Sequence, residues 1–193
     1  MMLSEKFTEA LVYATQLHAT QIRKGSGVPY IAHLLGVASI ALEYGANESE
    51  AIAALLHDAI EDQGGAKIRD EIQQRFGETV AQIVEGCTDT DLTPKPPWRD
   101  RKEAYLAHIS HTSASVRLVS AADKLYNAQS ILKDYRQIGD EIWQRFTGKK
   151  EGTLWYYRSL VNAFRQVETT PLIEELDRVV AELEQLVKVN SEA

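Results

Sequence analysis

An all-α fold is what this sequence predicts, and three observations carry the prediction. Apolar residues recur at helical spacing along almost the whole chain, and no stretch alternates with the period of two that a half-buried strand requires. A very apolar segment, AIAALL at 51–56, runs directly into a polar cluster, HDAIED at 57–62, as expected for a central helix with one functional end. The 193 residues suffice for one ordinary domain with a sizeable core, and the hydrophobic share of 44% and charged share of 25% are those of a folded globular chain. The expectation is therefore a single domain over 1–193, a helical bundle of about eight to ten helices.

Each element follows from local chemistry. Ser4 precedes the stripe Phe7, Ala10, Leu11, Ala14 and Leu17, which predicts a first helix ending before the Gly25–Pro29 turn. Pro29 opens a second helical pattern through Leu34, Val37, Ile40, Ala41 and Tyr44, stopped by Gly45, so His33 falls in its first turn. Asn47 or Ser49 can cap a third helix beginning near Glu50 and running through AIAALLHDAIED to Gly64 and Gly65. Further helices fit 66–76, 78–86, 100–112, 115–133, 136–146 and 152–166, with a last one from Pro171 to about Val189. The segment GCTDTDLTPKPPWRDR holds three of the five prolines and reads as a loop over about 87–100, a candidate lid. In the last helix Leu172, Leu176, Val179, Leu183 and Leu186 form a seam that suits packing on the bundle, with a contact between chains of a homo-oligomer as the alternative.

Composition narrows the function. A net charge of −7 argues against nucleic acid as the main ligand, because phosphate backbones are held by an excess of Lys and Arg. An anionic small molecule would need a local basic cluster, for which Arg23 and Lys24, Arg99, Arg101 and Lys102, and Lys149 and Lys150 are candidates. No apolar run reaches the ~18 residues of a membrane span, and Glu5, Lys6 and Glu9 interrupt what a signal peptide would keep apolar, so no membrane association and a cytoplasmic location are the expectation. The single Cys87 reads as a buried small hydrophobe.

The chemistry concentrates in HDAIED. On a continuous helix His57 would lie beside Glu61, and Asp58 beside both Glu61 and Asp62, so three carboxyl groups would repel one another unless a cation compensates them. A divalent metal would do so, with further ligands from other helices. His33 stands at a helix start, and Asp123 interrupts the apolar run VRLVSAAD, where an unpaired acid would be costly to bury. His33, His57, Asp58 and Asp123 thus form a mixed nitrogen and oxygen donor set compatible with Mn²⁺, Fe²⁺, Zn²⁺ or Mg²⁺. Such an ion makes water a better nucleophile near neutral pH and polarises a phosphoryl oxygen, which points to hydrolysis of a phosphate ester or anhydride.

The blocks RKGSGVPYIAH at 23–33, AALLHDAIED at 53–62, GCTD at 86–89 and SAADKLYNAQSI at 120–131 resemble the RelA/SpoT-type alarmone hydrolases of the HD superfamily, over most of residues 5–165. The two letters HD are a weak signal; HDxxED between an upstream PYIxH and a downstream DKLxN is a specific one. The resemblance implies an all-helical HD domain that uses Mn²⁺ to remove pyrophosphate from the ribose 3′ position of (p)ppGpp. It implies His33, His57, Asp58 and Asp123 as metal ligands and Glu61 and Asp62 as the catalytic acidic pair, without saying which acts as acid and which as base. By the same resemblance Arg23 and Lys24 belong at the base and phosphates of the nucleotide, Asn127 at the ribose, and Tyr156 at the nucleotide's border. Leu34 and Gln63 stand where the family usually has proline and threonine, and neither change removes a ligand. The chain resembles the small branch that degrades the alarmone without making it. An HD phosphatase acting on another nucleotide such as NADPH, and a metal-bound nucleotide sensor without turnover, are the alternative readings.

Overall fold

The computed structural model describes residues 2–89 and 94–192, the side chains of 191 and 192 excepted. The described residues are helical throughout apart from turns, one short 3₁₀ segment and one isolated antiparallel bridge between Ile22 and Pro29. The helices are α1 (Glu5–Leu17), α2 (Ile31–Glu43), α3 (Glu48–Leu56), α4 (Ala59–Gln63), α5 (Ala66–Phe76), α6 (Glu78–Cys87), α7 (Trp98–Ile109), α8 (Ala114–Ile138), α9 (Lys149–Val167) and α10 (Pro171–Glu192). Among the described residues no helix is long and apolar enough to cross a membrane.

The chain divides into two compact units, Met1–Pro96 with Thr112–Asp123, and Pro97–His111 with Lys124–Ala193. In the first, α3 is the axis, packed against α1, α2 and α6, and its residues Ala51 to Leu56 are all essentially inaccessible to solvent. Its start is defined by a capping box: the Asn47 side chain accepts from the Glu50 amide at 3.1 Å, and Glu50 accepts from the Asn47 amide at 2.8 Å. The helix therefore begins at Glu48, and Asn47 rather than Ser49 caps it. Close approach of α6 to the first part of α8 depends on Gly86, where a Cβ would lie 2.6 Å from Val116 Cγ2. That contact, with Ser120 Oγ 3.6 Å from Cys87 Sγ, places the Asp123-bearing end of the helix against the first unit's core. Cys87 is half-buried rather than fully buried.

The second unit is built on α9, which packs on α7, α10 and the 3₁₀ segment Gly139–Arg145. Leu172, Leu176, Val179 and Leu183 are buried, so the seam of the last helix is occupied within the unit. Two of the three tryptophans, Trp98 and Trp155, stack edge-on with ring centroids 6.2 Å apart, and Trp143 is buried against Tyr135.

Three expectations need correction. The helix expected over AIAALLHDAIED is two helices, because the His57 ring interrupts it: His57 Nδ1 lies 2.8 Å from the Ala54 carbonyl, the acceptor that a continuous helix would offer to the Asp58 amide. The helices expected at 115–133 and 136–146 are instead one helix to Ile138 followed by a 3₁₀ turn, since no glycine or proline stops the chain before Gly139, where φ is +55°. The loop expected over 87–100 is shorter at both ends, with Cys87 closing α6 and Trp98 opening α7 behind Pro97. Residues 90–93 of that expected lid lie outside the described residues.

Candidate metal centre and acidic pair

Three segments of the first unit converge. The first turn of α2 supplies His33, the junction of α3 and α4 supplies His57 and Asp58, and α8 supplies Asp123. His33 and His57 are buried, at 1% and 3% exposure, and Asp123 at 6%, so the position of each is dictated by packing rather than by solvent. The two Nε2 atoms approach to 3.3 Å. Asp58 Oδ2 lies 3.0 Å from His57 Nε2 and 3.4 Å from His33 Nε2, while Asp123 Oδ1 lies 3.3 Å from His33 Nε2 and 3.6 Å from His57 Nε2. His33, His57 and Asp58 each offer a ligand atom within 4.8 Å of the others, and Asp123 faces both imidazoles. The break after Leu56 makes this possible: with its Nδ1 turned onto the Ala54 carbonyl, His57 aims Nε2 at the cluster.

Two imidazole nitrogens and two carboxylates converging, with both histidines and Asp123 buried and Asp58 half-buried, fit a divalent cation, since each donor is of the type that oxygen- and nitrogen-binding metals take and the carboxylates offset the charge. The protonation of these groups shows the same pull. Burial opposes a charge on His57, yet the carboxylates of Asp58 and Asp123 hold its pKa well above the ordinary histidine value. Burial likewise opposes the charge on Asp58, and the two imidazoles hold its pKa well below the usual carboxylate range. A cation would replace the imidazolium proton in this balance.

Beside the cluster lies a hydrogen bond that the sequence motifs do not announce. The Tyr30 hydroxyl donates to Asp58 Oδ2 at 2.6 Å, and burial together with the Asp58 charge pushes the Tyr30 phenol strongly up, so it stays a donor. Tyr30 lies inside the quoted PYIAH block, so its position was visible while its bond was not.

The acidic pair sits on α4, directly after Asp58. Glu61 accepts from Lys95 Nζ at 2.6 Å and from the Asp89 amide at 3.3 Å. Its basic partner is thus 34 residues away, beyond the reach of helical spacing. Asp62 is exposed and accepts from Gln21 Nε2 at 2.8 Å; desolvation by the protein beside it, followed by the charges of Asp58 and Glu61, raises its pKa above the usual carboxylate value, although the Gln21 bond works the other way. The two carboxyl groups therefore sit in different surroundings, one beside an ammonium and the other beside a neutral amide.

Arg23 and Lys24 occupy a tight hairpin whose ends are pinned by Arg23 N to Val28 O at 2.8 Å and Tyr30 N to Gln21 O at 2.9 Å. Arg23 is half-buried and Lys24 exposed. Asn127 and Tyr156 belong to the second unit. Asn127 is half-buried one turn after Asp123 along α8, and Tyr156, 7% exposed, lies among Trp98, Trp155 and Tyr157 with Lys102 Nζ 4.9 Å from its ring centre.

A helical domain that gathers two histidines and two aspartates next to a Glu-Asp pair defines a class, the metal-dependent hydrolases built on an HD dipeptide. The HD domain family matches residues 10–154, and the chain belongs to it. Relatives with assigned activities agree with that placement. The chain is 40% identical over 138 residues, 70% of its own length and 72% of the relative's, to guanosine-3′,5′-bis(diphosphate) 3′-pyrophosphohydrolase MESH1 of Xenopus tropicalis. It is 38% identical over 139 residues to the human protein of the same name, again covering 70% of this chain and 72% of that one. Among solved structures, a metazoan ortholog of SpoT that hydrolyses ppGpp superposes with a TM-score of 0.77 at 24% identity, covering 94% of this chain and 97% of that one, a likeness of fold.

Proposed function

We propose that this protein hydrolyses the 3′-pyrophosphate of (p)ppGpp, giving GDP or GTP and pyrophosphate. The observation that carries the reading is the convergence of His33, His57, Asp58 and Asp123 beside Glu61 and Asp62 in a chain 40% identical to a protein named for that reaction. We take both compact units as parts of one HD hydrolase domain, in keeping with a family match that runs through both.

In this reading His33, His57, Asp58 and Asp123 hold a divalent ion, Mn²⁺ being our choice, which supplies a Lewis acid and a lower pKa for water. Tyr30 holds the Asp58 carboxylate, and the Ala54 carbonyl fixes the His57 ring, so the donors are oriented before any ion arrives. Asp62, whose pKa is raised, is the member of the acidic pair suited to carry a proton, while Glu61 is engaged by Lys95 beside it. Arg23 and Lys24 supply cationic contacts for the nucleotide's base and phosphates, with Arg23 offering a planar face for the purine. Asn127, for the ribose, and Tyr156, for the border of the nucleotide, are assigned on the family resemblance alone.

The test is a product assay. The Mn²⁺-loaded protein is incubated separately with ppGpp and with NADPH, and the products are identified. Pyrophosphate release from ppGpp is expected. Phosphate release from NADPH with no pyrophosphate from ppGpp would overturn the substrate, and turnover of neither would point to a sensor.

A further inference from the structure

Gln21 lies outside every motif that led to the site, yet its side chain is built into it. Its Nε2 donates to Asp62 Oδ2 at 2.8 Å. An ionised carboxylate only accepts, so this bond dictates which way the amide is turned: the nitrogen faces Asp62 and the oxygen faces away. That oxygen then needs donors, and it has two, Gln63 Nε2 at 2.6 Å and His18 Nδ1 at 2.7 Å. His18 is not free to turn. It is 2% exposed, and its ring stacks on that of Tyr30, with centroids 5.3 Å apart and planes 16° from parallel. The backbone of Gln21 is held as well, its amide donating to the His18 carbonyl at 3.0 Å and its carbonyl accepting from the Tyr30 amide at 2.9 Å. Asp62 itself is loosely supported. It is the penultimate residue of the five-residue α4, which Gly64 and Gly65 follow, and among the described residues no other side chain hydrogen-bonds its carboxyl group.

We propose that Gln21 is a positioning residue for hydrolysis, holding the Asp62 carboxyl group in one orientation through an amide that Gln63 and His18 lock in place. This rests on the reading of Asp62 as a proton-carrying group. Gln21 touches neither ion nor substrate in this account; it removes the rotational freedom that Asp62 would otherwise have to surrender in each turnover. Gln63, which stands where the resembling family usually has threonine, acts one step further out.

Gln21→Met keeps the length and volume of the side chain and removes its polar atoms. Loss of a hydrogen bond to a charged group predicts a fall in kcat of roughly 10- to 100-fold, with KM and bound Mn²⁺ within about 2-fold of the parent. Gln63→Met should give a smaller loss in the same direction, and the double variant should be no worse than Gln21→Met alone, because both act through one amide. A crystal structure of Gln21→Met should show Asp62 in more than one side-chain conformer. An unchanged kcat, losses that multiply in the double variant, or an Asp62 carboxyl group that keeps its parent orientation would each overturn the proposal. The crystallographic result stands whatever the substrate proves to be. Activity in Asp62→Ala equal to the parent would instead remove the role of Asp62 on which the proposal rests.

Discussion

Tyr30 and Asp58 are joined by a 2.6 Å hydrogen bond to Oδ2, the same oxygen that faces both imidazoles. A ligating carboxylate oxygen that also accepts a hydrogen bond is fixed in direction, and such supporting partners typically govern metal affinity about as strongly as some ligands do. Tyr30→Phe keeps the ring stacked on His18 and removes only the hydroxyl. We expect Mn²⁺ affinity to fall about 10- to 100-fold, measured by titration calorimetry. An unchanged affinity would mean that Asp58 needs no such support.

The donor cluster and the acidic pair should separate cleanly by mutation. Asp58→Ala removes a carboxylate that faces both histidines, and the variant should lose bound metal and hydrolysis together. Asp62→Ala should abolish hydrolysis while keeping near-normal metal content, because Asp62 hydrogen-bonds Gln21 rather than a histidine. Metal analysis beside the product assay distinguishes the two; loss of metal from Asp62→Ala would place that residue among the ligands.

Proton release should accompany metal binding. In the metal-free protein the His57 pKa is well above its ordinary 6.5, so His57 is charged at neutral pH, whereas a ligand must be neutral. Binding at pH 7 therefore expels a proton, and Mn²⁺ affinity should rise with pH through the neutral range. For the metal-free fold the signs are opposite for the two partners. The raised His57 pKa contributes stability that is complete below 6.5 and lost as pH climbs through the folded value. The lowered Asp58 pKa contributes stability that is complete above 3.8 and lost as pH falls through its folded value. The metal-free protein should thus gain most from this pair between those two values. Calorimetry in buffers of different ionisation enthalpy counts the proton, and a result of no release at pH 7 would contradict the charge assigned to His57.

Gly86→Ala tests how α8 is seated. The added Cβ would meet the stiff, β-branched Val116 at 2.6 Å, an overpacking that costs about 1–3 kcal/mol. Denaturant unfolding should show that loss, and adding Val116→Ala should recover part of it. Additive losses in the double variant would show that the two residues do not clash.

How far the site was legible depended on the distance over which each contact forms. His33, His57, Asp58 and Asp123 stand out because each is a polar residue in an apolar or helix-start setting, and packing brings the four side chains together. Gln21 and Lys95 did not stand out, since an amide or an ammonium on a surface turn has no local signature and their partners Asp62 and Glu61 lie 41 and 34 residues away. The break between α3 and α4 was hidden for another reason. Every residue from Ala51 to Asp62 suits a helix, and the interruption arises from one side-chain nitrogen near one backbone carbonyl, which spacing alone does not encode. No glycine or proline interrupts α8 before Gly139, so the helix runs on to Ile138, past the end at 133 that its apolar spacing predicts.

The proposed ligands lie far apart in the chain: His33 and His57 are separated by 24 residues, and Asp123 follows much later on α8. No unfolded chain presents them together, so an ion held by α2, the α3–α4 junction and α8 would act as a removable rivet through the first unit. Its free concentration would then set melting temperature as well as turnover, and scarcity of the ion would slacken the fold and silence the enzyme in the same step.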